Sequence, residues 1–154
     1  MAQNKKLLLI DLCARFPYGV KAYVKNWSKL DRKYYEDIYD VKSVFPSLNE
    51  VHVQSKSGSL DVLLGYYDYD IKPYLFPLSS ITEEQRNDVS KILIDTQNKF
   101  PPYGAINSNA LDNLFICIIN QANAFINYCL MHHLDINGLI EKGLAIDATG
   151  LNIY

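Results

Sequence analysis

Residues 109 to 132, "NALDNLFICIINQANAFINYCLMH", carry the pattern that constrains this chain most. Leu111, Leu114, Phe115, Ile118, Ala122, Phe125 and Cys129 recur every three or four positions, the period of one helical face. Ile116, Ile119, Ile126 and Leu130 widen that face. Such a helix runs about 35 Å, whereas a compact chain of this length has a radius of gyration of about 15 Å. Burying so broad a face asks for more surface than one small domain offers, so the pattern implies a homo-oligomer formed through the 109–132 helix. Asn120, Gln121, Asn123 and Asn127 interrupt the run, which therefore falls short of the ~20 predominantly apolar residues of a membrane span.

The rest of the chain predicts an α+β fold. Leu9, Leu12, Cys13 and Phe16 place a helix over 4–16, stopped at Pro17–Gly19, with a short strand through "KLLLI" as the alternative. "VKAYVKNW" alternates apolar and polar residues as a half-buried strand does. Several short β-branched and aromatic runs from 35 to 76, with "SKSGS" as a hairpin turn, predict a small antiparallel curled sheet or an SH3-like barrel.

"IKPYLFPLSSITEEQ", residues 71–85, closes the sheet and opens a helix. Pro73 and Pro77 cannot donate to a central ladder and mark a terminating edge strand. Thr82 and Gln85 have the spacing of a capping box, and Glu83 and Glu84 suit the positive end of the helix dipole. A helix over 83–98 follows, with Val89, Ile92, Leu93 and Thr96 inward and "KFPPYG" as its stop. A last helix over 136–142 ends at Gly143. The organisation is an N-terminal helix plus β unit over 1–80 and a helical extension over 81–154, within one cooperative domain.

Composition bounds function. Apolar residues make up 49% and charged residues 21% of 154 positions, as in ordinary globular proteins. "MAQNKKLLLIDLCARF" is broken by Asp11 and Arg15 and does not read as a signal peptide, so a soluble cytoplasmic protein is expected. Cys13, Cys117 and Cys129 read as free thiols, because the last two lie about 18 Å apart on one helix. Residues 1–33 carry a net +6 and residues 34–71 a net −5. Either these segments lie side by side and neutralise one another, or the first forms a basic face for an anion.

His132 and His133 point about 100° apart on a helix and lack a third ligand at helical spacing, so they read as helix-end residues rather than a metal site. No phosphate loop, dinucleotide motif, serine elbow or cysteine-pair zinc framework is present. Nine of the twelve tyrosines lie between Tyr18 and Tyr74. They serve either strand packing or a binding face.

Three pieces, "DLCARFPYGVKAYV", "KPYLFPLSSITEEQ" and "HHLDINGLIEKGLAIDA", resemble a family of small uncharacterised proteins encoded by phages and prophages of gut Bacteroidales. Phe76 stands where that family typically has an arginine, and "DINGL" replaces its "DYRGL". The resemblance implies a phage accessory protein acting in the host cytoplasm, and anti-defence by sequestering a nucleotide immune signal is one such role.

The resulting expectation is a non-enzymatic protein that binds a small anionic ligand without cofactor or metal. Arg15 and Lys72 would hold phosphate, Tyr18 and Tyr74 the base or ribose, with Lys142 as a further cation. The alternative is an SH3-like module docking on a host or phage protein through its tyrosine-rich face. An enzyme using His132 or His133 is a third reading. Acidity around Tyr34, Tyr35, Tyr66, Tyr67 and Tyr69 disfavours extended nucleic acid.

Overall fold

The computed structural model describes residues 2–28, 32–55, 58–63, 70–97 and 108–154. Lys56 and Ser57 of the "SKSGS" turn, Tyr66, Tyr67 and Tyr69, and all of "KFPPYG" lie outside them. The chain forms an α+β fold: α1 (Ala2–Arg15), β1 (Lys21–Ser28), β2 (Lys33–Phe45), β3 (Glu50–Ser55), β4 (Gly58–Leu63), β5 (Asp70–Leu75), α2 (Glu83–Gln97), α3 (Ser108–Met131) and β6 (Ile146–Asp147).

The sheet order is β4-β3-β2-β1-β5-β6, antiparallel except for the β5–β6 pair. Among the described residues it is an open sheet, with β4 and β6 at opposite edges, rather than a closed SH3-like barrel. Alternation explains its two faces. Val20, Ala22 and Val24 point inward with Tyr39, Val41, Val51, Val53 and Ile71, and Leu8, Leu9 and Leu12 of α1 cover them. On the outer face, Lys21 pairs with Asp40 and Lys25 with Glu36, each directly opposite in the β1–β2 register. The basic early chain and the acidic stretch after it therefore meet across two neighbouring strands.

Prolines 73 and 77 do not mark an edge. β5 lies between β1 and β6, and pairing with β6 begins at Tyr74, one residue after Pro73. Phe76 then forms a bridge to Leu134, its N–H donating to His133 O while its carbonyl accepts from Asp135 N–H. The capping box closes as its spacing predicts: Thr82 N–H donates to Gln85 Oε1 at 3.0 Å, and Gln85 N–H to Thr82 Oγ1 at 3.2 Å. Val89 and Ile92 are half-buried, whereas Leu93 is exposed.

The expected helix over 136–142 is instead a series of turns. Gly138 adopts φ +62°, which an α-helix cannot include, and Asp135 takes the N–H groups of Leu139 and Ile140, both at 2.8 Å. The stretch after α3 folds back, and Leu139 and Ala145 join the core built by α1 and the sheet. Residues on both sides of position 80 thus share one core.

Candidate functional site

Asp11 and Arg15 are both completely buried. They lie one turn apart on α1, on the flank that carries Leu8 and Leu12. Arg15 donates from Nε to Asp11 Oδ2 at 2.6 Å and from Nη2 to Asp11 Oδ1 at 3.1 Å and Leu134 O at 2.8 Å. Asn137 Nδ2 also donates to Asp11 Oδ1, at 2.8 Å. A charged pair taken out of water is tolerated only when its hydrogen-bonding positions are filled in this way. Arg15 Nη1 is the exception: it is buried and makes no hydrogen bond within the described residues.

Beside this pair the end of α3 makes a tight stop. Leu134 N–H reaches Cys129 O at 2.8 Å and His133 N–H reaches Leu130 O at 3.1 Å, the two bonds of a Schellman motif. His133 occupies the left-handed position that glycine normally fills, at φ +54°. Its ring stacks on Tyr154 with centroids 3.8 Å apart and planes 11° from parallel. Tyr154 donates its hydroxyl proton to Tyr74 O at 2.7 Å and accepts from Lys21 N–H at 3.3 Å. Burial, aided by the Arg15 charge, pushes the His133 pKa down to about 4. Burial likewise pushes Tyr154 up to about 12.

The five residues singled out from the sequence are not gathered into one cleft. Arg15 is enclosed with Asp11, and Tyr74 is buried and contributes its carbonyl to Tyr154. Lys72 lies on the outer face of β5, 3.7 Å from Asp70. Tyr18 is half-buried in the turn after α1. Lys142 is exposed and donates to the carbonyls of Asn137 and Gly138. Arg15 and Tyr74 do meet in one region, bridged by the His133–Tyr154 stack. Asp11, Asn137, His133 as a stacked neutral ring, and Tyr154 were missed. The available signal was the four-residue spacing of Asp11 and Arg15 along the apolar flank of α1.

Tyr39, Tyr74 and Tyr128 are buried, and Lys25 sits 4.9 Å above the Tyr34 ring. Cys13 and Cys129 are free, and burial raises both thiol pKa values, which favours the unreactive protonated form. Among the described residues no cluster of His, Cys, Asp and Glu is placed to hold a metal ion. No helix of the described residues is long and apolar enough to cross a membrane.

Among the described residues α3 carries several exposed large apolar side chains. Gln121 Nε2 donates to Leu93 O at 3.1 Å, and Tyr128 lies within electrostatic reach of Asp88 and Glu84, so α2 and α3 run antiparallel. Gln121, Phe125 and Tyr128 share the flank toward α2. A different flank carries Phe115, Ile118, Ile119 and Ile126, exposed by 62%, 51%, 57% and 40%. No acidic or basic residue occurs from Asn113 through Met131.

These features define an α+β protein whose small open sheet carries a helical hairpin with an uncharged apolar side. Comparison with protein-family models, curated proteins and solved structures finds no match to this chain.

Proposed function

We propose that this is a protein-binding protein, acting by attaching to a polypeptide chain through the uncharged apolar side of α3. The exposure of four large apolar side chains on one flank carries this reading. A contiguous apolar patch of that extent on a small protein marks an interaction surface. The binding module on this reading is the helical hairpin; among the described residues of the sheet's outer face, Lys21, Lys25 and Lys72 are engaged in ion pairs. A role as a phage accessory protein that engages a host or phage protein is compatible with such a surface.

Sequestration of a nucleotide through Arg15, Lys72, Tyr18, Tyr74 and Lys142 is supported less well. Phosphate would have to displace Asp11 and Leu134 O from the Arg15 guanidinium, Lys72 lies on the outer face of β5 beside Asp70, and Lys142 is engaged with the carbonyls of Asn137 and Gly138.

The test is photo-crosslinking in cells that express the protein. A photoreactive residue replacing Ile119 should form adducts with polypeptide, whereas the same residue replacing Lys42 on the sheet should not. Absence of polypeptide adducts at 119, together with a nucleotide retained in native mass spectrometry, would reverse the choice between the two readings.

A further inference from the structure

Phe115 lies three and four residues before Ile118 and Ile119, Ala122 four and three after them, and Ile126 four beyond Ala122, which keeps all five on one side of α3. That spacing lets side chains of one helix interdigitate with those of an equivalent helix. Ala122 is at the middle, where a small side chain allows two axes to approach within roughly 8–10 Å. Asn120 and Asn127, seven residues apart, lie on another flank of the same helix.

The absence of charge says what fits. Charged flanking positions select a foreign partner or repel an identical chain. The described flank of α3 offers no such group, so a second copy meets no like-charge repulsion along its length. A partner bearing acidic or basic residues at the seam would instead have to desolvate them without compensation. The exposed parts of Phe115, Ile118, Ile119 and Ile126 amount to roughly 400 Å² per copy, about half of the ~800 Å² per partner in a standard interface. Apolar atoms supply about that fraction of ordinary interfaces, and the neighbouring polar and small residues of α3 can furnish the rest.

We infer that a second copy of this chain occupies the stripe, the α3 helices of two protomers packing against each other along Phe115–Ile126. This inference rests on the protein-binding reading and specifies its partner. Each helix lends the other the apolar cover its own sheet cannot supply. Pairing through α3 leaves the sheets of both protomers available to other contacts.

Sedimentation velocity of the full chain from about 1 to about 100 μM tests it, a range spanning the affinities expected of an interface this size. The wild type should shift with concentration to twice the 17.6 kDa of one copy. Ile119→Glu and, independently, Ile118→Lys should remain monomeric with unchanged far-ultraviolet circular dichroism. Asn120→Glu, on the polar flank, should dimerise as the wild type does. A wild-type monomer at the highest concentration overturns the inference, as does a dimer that survives both stripe substitutions. If the wild type stays monomeric while the crosslinker at 119 captures a different polypeptide, self-pairing fails and the protein-binding reading stands. Absence of any polypeptide adduct removes both.

Discussion

At the residue scale the molecule is organised around a charge it has removed from water. Removing one member of a buried ion pair leaves the other uncompensated, at about 3–5 kcal/mol, whereas replacing both with apolar groups is often close to neutral. Asp11→Ala should therefore lower the urea midpoint severely, and Asp11→Leu combined with Arg15→Met should recover most of the loss. Equal damage by the single and double variants would show that shape rather than charge governs the site. His133 gives a pH signature. The folded protein protonates this ring only below about 4, while an unfolded chain does so below about 6.5. Between those values the unfolded state holds more protons, so stability rises with pH across the window and falls on acidification through it. The full effect is on the order of 3–4 kcal/mol. Urea titrations of the wild type should show this slope, and His133→Asn, which tolerates the left-handed backbone, should flatten it. Tyr154→Phe removes two hydrogen bonds of one hydroxyl and should lower stability by about 1–2 kcal/mol.

At the element scale, local chemistry was the most readable part of the chain. Thr82, Gln85 and the apolar period of residues 109–132 define their helices through interactions within a few residues, and α2 and α3 begin and end within a residue or two of where those signals place them. Thr82→Ala should weaken α2 by about 1 kcal/mol, seen as faster hydrogen exchange in its first turn with little change in the sheet. The complementary charge of β1 and β2 was also legible, because strands adjacent in sequence pair in register. What escaped was long-range. Nothing near Pro73 announces that β6, more than seventy residues later, will pair beside it. The turns over 136–143 arise because Asp135 captures two N–H groups and Gly138 turns left-handed, competing with a helix the apolar spacing favours. Arg15 read as a free cation because Leu134, whose carbonyl accepts from it, and Asn137, which donates to its partner Asp11, lie more than a hundred positions away in the chain.

On the scale of the whole molecule, two parts of the surface are treated differently. The sheet face hides its charges in cross-strand pairs, and α1 with the returning segment covers its apolar side. The hairpin of α2 and α3 has no such cover among the described residues: its outer flank offers water a row of isoleucines and a phenylalanine with no charge among them. On the proposed reading this row is displayed for another polypeptide. Hydroxyl-radical footprinting tests this most directly, comparing the oxidation of Phe115, Ile118 and Ile119 in expressing cells with that in dilute purified protein. Protection of these three side chains in cells, with Ile10 on α1 equally reactive in both settings, is the predicted result; equal reactivity of the α3 residues in cells and in dilute solution would contradict it.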